Sequence, residues 1–399
     1  MEALRKQPAP DCADILQAAR NLVPAIRARS SDINKARHVP EEIMKMIDEA
    51  GLMQLGRPAR YGGPDLGMDL VFNVSRTLAE GDGSTAWVYA VGNSHDHLVG
   101  LYPEAVQDEY WTSEQPLCAS SYQPQGKSVR VDGGYRLTGQ WSFCSGIDHC
   151  GWIVVGSIVM LPGQGDVPVP SLLLFLLKKG ELELVDDWYM MGLAGTGSKT
   201  VVVNDLFVPD ARILNNADVM AGKTPGAALH GNPLYSTSIW LLFGFSILAP
   251  TTGIARGAYE TMVAESKEKA LSGDPMFASK KLQVQMRLAE AGVLLESCEL
   301  LFATSLAETA DIVARGAPVT DELRTRNRRN QAYIARSCRQ VMDILMQLAG
   351  GRGLKEDAPI QRATRDIFAI SAHPGGNWDA ASASFGSVIL GGKPTEMFC

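Results

Sequence analysis

The 399-residue chain has no CxxC pair, no run of five Lys or Arg, and no glycine loop that completes a nucleotide-binding pattern. Its seven cysteines are scattered, which argues against a disulfide framework and for a reduced, cytoplasmic protein. With 37 basic against 44 acidic residues the formal charge is −7, so a nucleic-acid partner, which needs a basic surface, is not expected. The longest strongly apolar stretch, Ile239–Pro250, is interrupted by Gly244 and Ser246 and is too short for a bilayer, so no membrane is expected either. The N-terminal MEALRKQPAPDC offers no apolar signal core.

Several familiar chemistries fail on spacing. A phosphate loop needs G-x-x-x-x-G-K-[ST]; Gly126-Lys127-Ser128 has the ending, but Ser121 stands where the first glycine belongs. Gly192 and Gly197 are correctly spaced, but Ser198 displaces Lys199 by one place. No G-x-G-x-x-G follows a strand, and no G-x-S-x-G elbow is present, which disfavours a Rossmann site and a serine hydrolase. His95-Asp96-His97 has metal-capable side chains, and on a strand both histidines would share a face. The other four histidines show no ligand spacing with them, so a polar helix start or pocket-lining loop is preferred and no metal is expected.

What is present is an order of helix, strand, helix. Asp14–Arg29 has helical apolar spacing, Pro40 to Gly51 carries helix punctuation, and Leu70–Glu80 ends at Gly81-Asp82-Gly83. From Pro116 the pattern shortens: Ser128–Leu137 alternates around Asp132-Gly133-Gly134 as a hairpin, and 152–160, 171–177 and 200–208 are short strands. Long helical segments follow at 236–271, 277–314 and 321–349, with a last one at 377–390, which implies a bundle. The expected division is a helical domain over 1–115, a β-domain over 116–215 and a helical bundle over 216–399. Two aromatic clusters, Trp87 with Tyr89 and Tyr235 with Trp240, Phe243 and Phe245, suit either a core or a pocket for a flat ligand.

Six segments in order resemble the acyl-CoA dehydrogenases. They are LMQLGRPARYGGPDLG (52–67), LTGQWSFCSGIDHCGW (137–152), MGLAGTGSKTVVVNDLFVP (191–209), the Ala249–Ala258 helix, QLAGGRG (347–353) and APIQRATRD (358–366). The resemblance implies a mainly α fold: an N-terminal helical domain, a small β-barrel and a C-terminal four-helix bundle. It also implies a homotetramer, in which Gln347, Gly350 and Gly351 reach the flavin of a neighbouring subunit.

Departures from the family redirect the chemistry. After the R-D element the chain reads Ile370-Ser371-Ala372-His373-Pro374-Gly375-Gly376, without the glutamate that removes a proton from acyl-CoA, and the Ala249–Ala258 helix offers none before Glu260. The R-x-x-F-G grip on the FAD diphosphate is replaced by Lys269–Asp274. Three marks resemble instead the two-component flavin monooxygenases of this fold: His95 eight residues before Pro103, W-S-F-x-S-G at Trp141–Gly146, and His373 followed by Asn377-Trp378-Asp379. That likeness implies an oxygenase supplied with FMNH2 or FADH2 by a separate NAD(P)H-dependent flavin reductase, hydroxylating a phenolic or indolic substrate with O2 through a C4a-hydroperoxyflavin. It implies flavin contacts from Ser120, Trp141, Ser145, Gly146, Gly192, Thr196, Gln347, Gly350 and Gly351, and a substrate wall of Trp87, Tyr235, Trp240 and Phe243. Ser145 is the expected hydrogen-bond donor beside flavin N5, and His95 and His373 are interchangeable candidates for the base. An acyl-CoA dehydrogenase or oxidase, N- or S-oxygenation of a non-phenolic molecule, and a non-catalytic flavin-binding homologue are the alternatives.

Overall fold

The computed structural model describes residues 11–64, 66–162, 168–268 and 278–396. The Lys269–Asp274 stretch lies outside them. The N-terminal helices are α1 (Cys12–Ala36), α2 (Glu41–Glu49), α3 (Met68–Ala79), α4 (Gly83–Val99) and α5 (Glu104–Trp111). Helix α4 begins where the sequence marks a break. Asp82 caps it by accepting from the Thr85 N–H, so the Gly-Asp-Gly interruption separates two helices rather than ending helical structure. Every residue of α4 is buried. A helix covered on all sides carries no polar face, and so no amphipathic period to read.

The strands are β1 (Cys118–Val131), β2 (Gly134–Cys144), β3 (Trp152–Pro162), β4 (Pro168–Lys178), β5 (Glu183–Val185), β6 (Lys199–Pro209) and β7 (Ile213–Asn215). They form one sheet in the order β5-β6-β2-β1-β3-β4-β7. The expected hairpin is present, with Arg130 opposite Tyr135 and Val131 opposite Gly134. Strand β1 joins the two halves of the sheet: its start pairs parallel with β3 and its end antiparallel with β2. The strands enclose their own core of Leu137, Trp141, Val155, Phe175 and Val201, and β5 and β7 are the two ends, so the barrel is an open one.

Two short helices, α6 (Asn216–Met220) and α7 (Pro225–His230), lead to α8 (Ile239–Glu268), α9 (Leu282–Ala314), α10 (Asp321–Ala349), α11 (Pro359–Ala372) and α12 (Trp378–Ile389). Helices α8 to α11 pack as the bundle, and α12 leans on α10. Helix α8 continues through Pro250 for 30 residues and is long and apolar enough to cross a membrane by composition. The interrupted 12-residue run of the sequence therefore understates it, yet 78% of its apolar window is buried in the protein. It packs on α3, and Gly253 lies so close that an added Cβ would meet the Arg76 carbonyl at 2.0 Å. One apolar core thus runs from Ile15 in α1 to Ile370 in α11, joining both helical parts.

Candidate active site

Trp87, Val91 and His95 recur every fourth residue on α4 and line a cavity of about 410 Å³. At 1.5 Å per residue, Trp87 and His95 stand roughly 12 Å apart. At the His95 end, β1 presents Ser120 and Tyr122 on one face, as alternation requires, and α8 brings Trp240 and Phe243. Phe243 stacks on the His95 ring at 5.9 Å and 22°, while Tyr122 meets His95, Trp240 and Phe243 edge-on. The result is a flat apolar slot. The buried Tyr122 hydroxyl has no hydrogen-bond partner among the described residues.

Hydrogen bonding fixes the tautomer of each histidine. His95 Nδ1 lies 2.7 Å from the Cys118 carbonyl, which can only accept, so this nitrogen carries the proton. Nε2 then presents a lone pair, and Ser120 Oγ, 2.8 Å away, donates to it. Burial lowers the His95 pKa to about 4, against the pull of the Cys118 carbonyl, so the ring is neutral near pH 7. His373 is the reverse case: its Nδ1 accepts from the Gly375 N–H at 2.9 Å, which leaves the proton of the neutral ring on Nε2. Burial, assisted by the positive charge of Arg328, lowers its pKa to about 4 as well.

At the Trp87 end the cavity is closed by His373, edge-on to Trp87 at 5.8 Å, by Phe143 near the end of β2 and by Ser145 in the turn that follows. Phe143 has φ +67, a strained value for an aromatic residue. It occupies a bulge, where the β2–β6 register shifts between Trp141 and Cys144. Trp141, before the bulge, points into the β-core and donates to the Gly156 carbonyl at 2.8 Å. Trp141, expected among the flavin contacts, therefore does not line this cavity. Tyr235, expected in the substrate wall, does not line it either: it is buried against His97 and His230, on the far side of α4 from His95. His95 and His97 stand two positions apart on a helix, roughly 200° around it, and do not share a face.

The other sequence candidates fall into two groups. Gly146, Gly192 and Thr196 stand behind the cavity wall. Gly146 donates its N–H to the Thr196 carbonyl, and an added Cβ on Gly192 would meet the Arg365 carbonyl at 2.1 Å. Gln347, Gly350 and Gly351 line a separate cavity of about 800 Å³ with Asp82 and Gly83 at the start of α4 and Asp366 of α11. Tyr122 was not singled out in the sequence, although its position two residues after Ser120 on a strand was a readable signal.

Residues 10–111 match the acyl-CoA dehydrogenase N-terminal domain, and residues 245–378 match the C-terminal domain of that family. The flavin-dependent monooxygenase oxygenase subunit HsaA of Mycobacterium tuberculosis is 33% identical, over 97% of this chain and 98% of its own. The chain belongs to the acyl-CoA dehydrogenase family, in its flavin-dependent monooxygenase branch. A crystal structure of the M. tuberculosis HsaA monooxygenase superposes with a TM-score of 0.89 at 33% identity, covering 98% of this chain and 100% of that one. The FADH(2)-dependent resorcinol hydroxylase oxygenase component of a Rhizobium species is 30% identical over 93% of both chains.

The cavity of this monooxygenase suits a flavin ring beside a small aromatic molecule. It is flat-walled and mostly apolar, with hydroxyl and imidazole groups at both ends and the Tyr122 ring in its wall. The described carboxylate that lines it, Glu396, is paired with Arg328 at 3.0 Å and is not free to take a proton from an acyl group.

Proposed function

We propose that the chain is the oxygenase component that hydroxylates a small phenol, with Ser120 and His95 removing the phenolic proton. When bound, reduced flavin supplies two electrons and two protons to O2, so that one oxygen atom enters the ring and the other leaves as water. Ser145, Trp87 and His373 are the residues that would hold the flavin ring at its end of the cavity, and a separate reductase in the cytoplasm would supply it.

The observation that carries the reading is the direction of the Ser120–His95 pair. A phenol O–H arriving at Ser120 finds an oxygen whose own proton already points to His95 Nε2. Transfer along that line turns the phenol into a phenolate and the ring into an imidazolium, held by Cys118 through Nδ1. The lowered pKa belongs to a ring with no negative charge beside it; a phenolate supplies that charge and raises it again. Phenolate formation enriches the ring carbons in electrons, which favours attack by an electrophilic oxygen. A sulfide has no such proton, and the N–H of a neutral amine or an indole is too weak an acid, so phenols are the preferred class. His373 offers an N–H rather than a lone pair, which suits it to hydrogen-bond an oxygen and not to act as the base.

Leu282, Met286, Val293 and Leu300 are exposed on α9 and lie within about 40° of one another around the helix. This apolar stripe supports a homo-oligomer, proposed as a tetramer, with a second copy as its cover. The test of the function is a coupled assay with a flavin reductase, NADH, FMN or FAD and a panel of phenols under 18O2. One labelled oxygen in a catechol-type product is the expected result; oxygen consumption that yields only H2O2 with every phenol would overturn the reading.

A further inference from the structure

Behind Ser145 runs a chain of hydroxyls whose direction is fixed. Ser145 Oγ lies 2.8 Å from Ser198 Oγ, Ser198 Oγ lies 2.7 Å from Thr196 Oγ1, and Thr196 Oγ1 lies 2.8 Å from the Leu193 carbonyl. A carbonyl only accepts, so Thr196 spends its single proton there. Two oxygens at 2.7 Å need a proton between them, and Ser198 must supply it. By the same count Ser145 donates to Ser198. At the other end the Trp87 indole N–H, 3.0 Å from Ser145 Oγ, can only donate. All links run one way, from Trp87 through Ser145, Ser198 and Thr196 to Leu193. Thr196 and Ser198 are buried, so bulk water does not redirect them.

Ser145 therefore holds its proton away from the cavity and turns a lone pair toward it. This reverses the donor role expected from the sequence. The reversal has a chemical meaning at a flavin, because N5 of the oxidised ring is an acceptor whereas N5 of the reduced ring carries a hydrogen. We propose that Ser198 and Thr196 are positioning residues that make Ser145 an acceptor, so that the site selects flavin in its reduced state. The inference rests on the reading above that Ser145 faces the flavin. Oxidised flavin would meet Ser145 acceptor to acceptor. Turning the chain around to suit it would leave Thr196 Oγ1 and the Leu193 oxygen 2.8 Å apart with no proton between them.

The test is equilibrium binding of FMN and FAD, oxidised in air and reduced under anaerobic conditions, with potentiometry of the bound flavin. In Ser198→Ala the Ser145 proton loses its acceptor and is free to serve oxidised flavin. The ratio of oxidised to reduced Kd should contract roughly tenfold, the size of one hydrogen bond, through a gain for the oxidised form. The midpoint potential should fall by about 30 mV, the two-electron equivalent of that factor. Thr196→Val keeps the shape of the side chain, frees Ser198 to donate to Ser145, and should act in the same direction. Ser145→Ala should also narrow the ratio, but through weaker binding of reduced flavin. Parallel weakening of both states in Ser198→Ala and Thr196→Val, or an unchanged ratio, would mean that the hydroxyls are only structural and the inference is wrong. A wild-type protein that binds neither flavin in either state would instead overturn the flavin reading itself.

Discussion

His95 and His373 line one cavity in opposite tautomers, His95 with a lone pair on Nε2 and His373 with a proton there. The difference originates in the backbone: a carbonyl faces Nδ1 of the first ring, and an N–H faces Nδ1 of the second. It separates two roles that sequence alone left interchangeable, and it makes the two side chains distinguishable by experiment.

Replacing His95 with Asn should lower hydroxylation about 10²–10⁴-fold while oxygen consumption continues and H2O2 accumulates. Ser120→Ala should behave similarly, because it breaks the same line to Nε2. Product should recover in His95→Asn as the pH approaches about 10, where a phenol ionises without help. Product and peroxide measured together across pH check this, and a flat profile would remove His95 as the base.

His373→Asn keeps a side-chain oxygen to cap the Gly375 N–H but removes the Nε2 proton. Product per O2 should fall by roughly one to two decades, the scale of a hydrogen bond to a charged group. High pH should give no recovery, since no phenolic proton is involved. Recovery parallel to that of His95→Asn would contradict the division of roles.

His97 is buried beside Tyr235 and His230, has no hydrogen-bond partner on either ring nitrogen among the described residues, and has its pKa lowered to about 3, by burial first and by His230 second. A lowered pKa means that the unfolded chain takes up the proton first. The stability this neutral ring contributes is complete above about pH 6.5 and is lost as the pH falls toward 3. Between pH 7 and 4.5 the loss should be about 2–3 kcal/mol. Urea unfolding of His97→Leu should show an acid-side slope shallower by that amount, whatever its stability at pH 7.

Leu300→Glu places a charge in the exposed stripe of α9. If a second copy covers that stripe, sedimentation should show a smaller species with an unchanged far-ultraviolet circular dichroism spectrum. An unaltered oligomer would move the interface elsewhere.

Order of elements was legible because periodicity and turn chemistry carry it: the β1–β2 hairpin and the long helices α8 to α10 stand where their patterns indicate. Helix α4 was not legible, since burial on every side removes the contrast on which periodicity depends. The site was partly so. Trp87, His95, Ser120, Ser145, Trp240, Phe243 and His373 all line the cavity, but Trp141 does not, because a bulge one residue later reverses the faces of its strand. Which atoms carry the protons was beyond any motif, being set by the carbonyls of Cys118 and Leu193 through contacts distant in sequence or folded back within a turn.

The burial of α4 also limits how such a pocket can be adapted. Trp87, Val91 and His95 face the cavity from a helix whose other sides are packed in the core, so that helix cannot shift to follow a change in the pocket without overpacking its neighbours, which typically costs about 1–3 kcal/mol. Trp240 and Phe243 are only partly buried on α8, and Gln123 and Pro124 lie where the β1–β3 register breaks. Enlarging or reshaping the pocket for a different ring is therefore a task for β1 and α8, with α4 as the fixed wall against which variants are selected.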